Sequence, residues 1–273
     1  GLTHIDRRRD ASSSYGRVPC SARLIAPPPV PGYMDAALIT VGDELLAGDT
    51  ENTNATWLAD ELTARGVDVR RVLTLPDDEA AIADAVAEYA DRYDAVLVTG
   101  GLGGTPDDLT MAAVAAAFDL PLEPNDLARA DLERTLAAVA DDYPDLEVDI
   151  EAEASIPAGA RPLVNDAGLA PGAVVENVYV LPGIPDEMRR MFESVADEFA
   201  GAVESRTLYT EEPEANLIER LDAVRDRFDV AVGCYPDRSA GHNRLKLRSE
   251  AAGELEEATT WLREEVDLVE RGE

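Results

Sequence analysis

Apolar residues in this chain come in two patterns. Short solid runs read as strands buried on both faces, and residues spaced three or four apart read as helices. Ala36 to Val41 (AALITV) is the first solid run. Trp57, Leu58 and Leu62 follow at helical spacing, capped by Asn52, Thr53 or Asn54 and ending near Arg65-Gly66. Val67 to Leu73 reads as a second strand. Pro76-Asp77-Asp78-Glu79 opens a helix to about Tyr89, with Ile82, Val86 and Tyr89 on one face. Ala95 to Val98 is a third buried strand; it runs into Thr99-Gly100-Gly101-Leu102-Gly103-Gly104-Thr105, and Met111 to Phe118 reads as helix. The order β-α-β-α-β-loop-α implies a parallel sheet with helices on both faces.

The remainder is less regular. A helix from about Asp126 to Ala140 reads as an insertion, and Ile156 to Val180 is rich in Pro and Gly, with short strands at 163–164, 174–175 and 178–181. A Leu181-Pro182-Gly183-Ile184-Pro185 turn leads to a helix carrying Met188, Met191 and Phe192, which read as core. From Ser205 the pattern restarts: a strand at 206–209, a helix at 213–228, strands at 230–234 and 245–247, and a helix at 255–266. This β-α-β-β-α set predicts a small second domain. Before Met34, the Arg7-Arg8-Arg9, Ser12-Ser13-Ser14 and Pro27-Pro28-Pro29 runs lack periodicity and read as disordered. The expected division is an extension at 1–33, with Met34 as the natural start, a main domain at 34–204 and a small domain at 205–273.

Charge changes the picture most. Fifty-six Asp and Glu stand against 24 Lys and Arg, a formal net charge of −32, and Lys246 is the sole lysine. Carboxylates in such excess over an ordinary apolar fraction predict a folded protein with an acidic coat, adapted to a high-salt, halophilic cytoplasm where screening tempers self-repulsion. No basic stripe is present to neutralise nucleic-acid phosphates. No apolar run reaches the ~18–20 residues that span a bilayer, and no signal-peptide pattern opens the chain, so the expected location is cytoplasmic. Cys20 and Cys234 form neither a disulfide framework nor a metal spacing.

In parallel sheets, ligands bind outside the carboxyl ends of the strands. That edge gathers Asp43 and Glu44 after the first strand, Asp77 after the second, and Gly100 to Asp108 after the third. Strand, glycine loop and helix together present bare N–H groups to a phosphate. Asp107 and Asp108 beside them, with Asp77, are candidate ligands for a divalent metal. A plainer reading makes Thr105-Pro106-Asp107-Asp108 an ordinary helix start, with Thr105 as its cap. His242, beside Asn243 and Arg244, either touches an anionic ligand or is simply solvated.

Five motifs in order, VGDELLAG with NTN (Val41 to Gly48, Asn52 to Asn54), PDDEAAI (Pro76 to Ile82), TGGLGGTPDDLT (Thr99 to Thr110), NDAGLAPG (Asn165 to Gly172) and LPGIPDEM (Leu181 to Met188), resemble the MoaB/Mog-like molybdopterin-binding domain, in the variant carried by the CinA (competence/damage-inducible protein A) family. The Val232-Gly233-Cys234-Tyr235-Pro236 region is similar to the module that follows this domain in eukaryotic FAD synthases. The resemblance implies a three-layer α/β/α, mostly parallel sheet, and a site for a phosphate-bearing pterin or nucleotide. It implies Asp77 and Asp108 as catalytic acids, and Gly100, Gly101 and Gly103 as a phosphate cradle. Gly42, Asp43, Glu44, Gly48, Asn52, Asn54, Thr99, Thr105, Pro182 and Gly183 are implied as further ligand contacts. Metal-dependent hydrolysis of a pyrophosphate link, of the ADP-ribose or FAD type, is the leading expectation. Molybdopterin adenylyl transfer and non-catalytic binding of molybdopterin or a nucleotide are the alternatives. Leu102 stands where Mog-type proteins usually have Thr, which favours the first. The metal is Mg²⁺, Mn²⁺ or Co²⁺, the assembly a homo-oligomer (dimer or trimer), and the nicotinamide-nucleotide deamidase activity of longer CinA proteins is expected to be absent.

Overall fold

A computed structural model describes residues 34–140, 147–237 and 240–269; the expected extension at 1–33, the start assigned to Met34 and Cys20 concern residues outside or at the edge of this range. The main sheet contains β1 (Asp35–Val41), β2 (Asp68–Leu75) and β3 (Ala95–Thr99), later joined by β6 (Arg161–Leu163), β7 (Gly172–Val175) and β8 (Val178–Leu181). Its order is β2-β1-β3-β8-β7-β6. The first four strands run parallel, and β6 and β7 close the far edge antiparallel. The sheet is therefore mostly parallel, as the buried apolar runs require.

Alternation along the central strands sorts the helices into two layers. Ala36, Leu38, Ala95 and Leu97 face α2 (Thr53–Ala64) and α7 (Pro185–Glu193), meeting Leu58, Leu62, Met188 and Phe192. Ile39, Val41, Val96 and Val98 face α3 (Glu79–Ala90) and α4 (Thr110–Ala117), meeting Ile82, Val86, Ala113 and Val114. Phe192 is fully buried, stacked on Phe199 at 5.4 Å and edge-on to Trp57 at 5.5 Å.

Several local readings change. Asn52 alone caps α2, through Ala55 N–H. The second helix is capped by Asp78 and starts at Glu79, not at Pro76. Thr105 does not cap a helix: α4 begins at Thr110, and Thr105 to Asp108 form a turn closed by Asp108. The loop after β1 holds a short helix, α1 (Asp43–Ala47), ended by Gly48 in the left-handed region. A two-stranded ladder of β4 (Leu122–Pro124) and β5 (Ser155–Pro157), flanking α5 (Asp126–Val139) and α6 (Ile150–Glu153), has no forecast in the sequence. Both strands are too short for a period.

The small unit comprises β9 (Glu204–Thr210), α8 (Glu214–Arg227), β10 (Ala231–Asp237), β11 (His242–Ser249) and α9 (Ala252–Glu265). Its antiparallel sheet, in the order β10-β11-β9, buries Leu208, Val232, Leu245 and Leu247 under α8 and α9. Just before this unit the chain is pinned to the end of α2: a Cβ on Gly201 would stand 1.9 Å from the Gly66 carbonyl oxygen, and Gly201 N–H donates to Arg65 O at 2.9 Å. Arg248 adds a 2.7 Å ion pair to Asp68, which also receives Arg70 at 2.9 Å.

Two predictions follow from this packing. Phe192→Ala should lower the unfolding free energy by about 3–5 kcal/mol in denaturant titration, because its two aromatic neighbours, Trp57 and Phe199, cannot collapse into the space. The second concerns Asp35, whose carboxyl is raised to about 6 by burial and then by the Asp68 and Asp94 carboxylates. A carboxyl raised on folding binds its proton more tightly in the native state, so its contribution favours folding at low pH and is lost as pH rises through about 6. The melting-temperature advantage of Asp35→Asn over wild type should therefore shrink between about pH 7 and about pH 5. A constant difference across that window would contradict the assignment.

Candidate functional site

The carboxyl ends of β1, β3 and β8 open onto a cleft of about 420 Å³. Its floor is Gly100, where the strands come closest. Gly100 has φ 102°, and a Cβ there would lie 2.1 Å from the Val41 carbonyl oxygen. Only glycine tolerates both the angle and the approach. Asn54, in the first turn of α2, ties the strand ends together, donating to Gly183 O at 2.6 Å and to Thr99 Oγ1 at 3.2 Å. Thr99 in turn donates to Pro182 O at 2.6 Å. Asn52 spends its amide on the hydroxyls of Thr40 and Thr74, at 2.9 and 3.3 Å.

The glycine loop is held from behind. Thr110 donates its hydroxyl to Gly100 O at 2.7 Å and its N–H to Gly101 O at 3.1 Å. With those carbonyls occupied, the N–H groups of Gly101, Leu102, Gly103 and Gly104 donate to no described residue. The N-terminus of α2 enters the same cleft through Thr53 and Asn54, with no acid in its first turn, and that of α7 enters through Ile184 and Pro185. α7 carries Asp186 and Glu187 in its first turn, so it is the unspent amides and the acid-free end of α2 that make an arrangement able to hold an anion.

Carboxylates face these donors. Glu44, Glu51, Asp77, Asp107 and Asp108 all line the cleft. Asp77 is fixed by Asp43 N–H at 2.9 Å, and Asp108 by the Thr105 N–H and hydroxyl at 3.0 and 2.6 Å, each through one oxygen, Oδ2. Among the described residues no three acid, His or Cys side chains form a group that could by itself hold a metal ion. The donor set instead suits an ion that needs one or two carboxylates and takes its other ligands from phosphate oxygens and water, the usual habit of Mg²⁺.

Of the residues singled out in the sequence, Gly42, Glu44, Asn52, Asn54, Asp77, Thr99, Gly100, Gly101, Asp107, Asp108 and Gly183 line the cleft. Asp43 contributes its backbone N–H, Pro182 its carbonyl, and Gly48 only ends α1. Gly103 and Thr105 lie on the far side of the loop, in a cavity of about 230 Å³ shared with Glu153. A Cβ on Gly104 would come within 2.0 Å of Glu153 Oε1. Burial, then the Asp108 and Asp149 carboxylates, push the Glu153 carboxyl above its usual range. Sequence reading missed Glu153 because a four-residue helix delivers it, without a periodic signal. It also missed Thr40, Leu45, Thr50 and Ile184 in the cleft wall. His242 lies elsewhere, edge-on to Tyr209 and near a separate cavity. The NDAGLAPG motif is scaffolding: buried Asn165 bonds Glu187 of α7 at 2.8 Å and Ala170 O at 2.9 Å.

Residues 37–201 match the family described as "Probable molybdopterin binding domain", and residues 202–270 match "FAD synthase, middle domain". A protein of Archaeoglobus fulgidus is 37% identical over 74% of this chain and 86% of its own length. A CinA-like protein of Citrifermentans bemidjiense is 42% identical over 63% of this chain, which spans only 42% of that protein. Among solved structures, the CinA protein of Thermoplasma acidophilum, itself of unknown function, is 33% identical with a TM-score of 0.53, covering 61% of this chain and 98% of that one. No helix among the described residues is long and apolar enough to cross a membrane. The chain belongs to the MoaB/Mog-like molybdopterin-binding-domain family, is similar to its CinA-like members, and carries an FAD-synthase-type middle domain after the first.

Proposed function

We propose that the strand-end cleft binds a phosphate-bearing nucleotide or pterin and hydrolyses a pyrophosphate link within it. The observation that carries this reading is the pair of unspent amides of Gly101 and Leu102, which share one cleft with Asp77 and Asp108. The amides take the oxygens of one phosphate and stabilise the charge that grows there during attack at phosphorus. Asp77 and Asp108, each with one oxygen fixed by a neighbour, keep the other for an attacking water or a cation. A divalent ion brought in on the phosphate would be held by these two carboxylates and would supply charge neutralisation. Leu102 gives the loop an apolar wall where Mog-type relatives carry a hydroxyl, which supports hydrolysis over adenylyl transfer.

The direct test is release of AMP from ADP-ribose and FAD, with Mg²⁺, Mn²⁺ or Co²⁺ and a chelator control, at high potassium chloride. Metal-dependent AMP release is expected. Asp108→Asn should slow it by about 10²-fold or more, while its amide oxygen still accepts from Thr105 and AMP binding persists. Release of no AMP from either substrate, with ATP-dependent modification of molybdopterin instead, would replace hydrolysis with adenylyl transfer. A second prediction concerns the cradle. Gly101 has φ 60°, and a Cβ there would meet Thr110 Oγ1 at 2.5 Å. Gly101→Ala should abolish AMP binding in calorimetry while the protein stays folded by circular dichroism; intact binding would show that the loop amides do not hold the phosphate.

A further inference from the structure

A second cavity, of about 850 Å³, runs between α2 and the outer face of the small sheet. It shares Glu51, Asn52 and Thr53 with the strand-end cleft, so the two form one continuous surface. One wall is α2 itself. From Thr53 to Thr63 it extends about 15 Å at the helical rise, farther than a single phosphate with its sugar requires. The opposite wall is cationic, formed by Arg189, Arg244 and Lys246.

The origin of that wall is the alternation of β11. Leu245 and Leu247 point into the small core, so Arg244, Lys246 and Arg248 lie on the other face. Arg248 is used in the anchoring pair with Asp68. Arg244 and Lys246 continue the same row and pair with no described residue. Arg189 lies over the Trp57 ring at 5.7 Å, and its buried Nε has no partner. In a chain with 56 acids and 24 basic residues, three cations converge here, one of them the sole lysine. Glu51 and Asp60 also border the groove, and neither is paired with these cations.

We infer that this groove binds a second anionic group of the ligand, remote from the phosphate on the glycine loop; the inference rests on the phosphate reading of the strand-end cleft. The ligand class is a sugar-bearing phosphate ester with a further phosphate monoester. The loop amides take the first phosphate, and Arg189, Arg244 and Lys246 take the second. The Thr53, Thr56 and Thr63 hydroxyls and Asp60 face the sugars between them. Glu51, at the junction, repels any anion placed midway and so sets the two groups apart.

Calorimetric titration of the full chain with AMP, NAD⁺ and NADP⁺ at low ionic strength tests this, because NADP⁺ differs from NAD⁺ by one phosphate monoester. Wild type should bind NADP⁺ about tenfold more tightly than NAD⁺, and AMP should displace both. Arg244→Gln with Lys246→Gln should bring the two affinities together and leave AMP binding unchanged. Equal affinities in wild type, or a preference that survives the double substitution, would overturn the groove assignment. A groove-dependent preference for NADP⁺ with no AMP binding would overturn the loop reading alone, and absence of binding by all three probes would overturn both.

Discussion

The whole site depends on one close approach. The carbonyl of Val41 at the end of β1 occupies the space that a side chain on Gly100 would need, and Gly183 after β8 presses on Gly100 from the other side, an added Cβ standing 3.2 Å from the Gly100 Cα. Three parallel strand ends thus converge on one residue that has no side chain. Everything polar in the cleft is arranged around that point. Asn54 and Thr99 satisfy the carbonyls released where the strands stop, and Thr110 satisfies those of the loop. The amides on the opposite side of the same peptides are thereby left for a ligand. A buried parallel sheet has no polar side chain to spare within its strands, so chemistry collects where the ladder ends.

An anion site inside a strongly acidic molecule poses an electrostatic problem. Side-chain cations are scarce in this chain, and the cleft itself carries five carboxylates and no lysine or arginine. Backbone dipoles resolve the conflict. They are fixed in place, need no basic side chain, and act at contact distance where salt screens least. The carboxylates then serve a ligand that arrives with its own cation, since phosphate and divalent ion together present both signs to the wall.

The layered sheet was legible because each of its central strands is a solid apolar run, and such runs leave few alternatives. The glycine loop and the acids after the strands were legible for a related reason: topology alone puts strand ends together. Thr105-Pro106-Asp107-Asp108 left two readings open because a turn closed by Asp108 and a capped helix start use the same residue types, and only the hold of Thr110 on Gly100 and Gly101 decides between them. Glu153 was invisible because it reaches the loop from β4–β5 and α6, elements too short for a period. Lys246 read only as part of a short strand at 245–247 and Arg244 only as a neighbour of His242, and what they face is settled by how the small domain sits on α2.

That seating has two fixings of different kinds. Gly66 and Gly201 meet peptide against peptide just before the small unit begins, so the chain leaves the main domain from a fixed point, and the Arg248–Asp68 ion pair holds the unit at a second. The two fixings respond differently to salt: the main-chain one is indifferent to it, and the ionic one is screened.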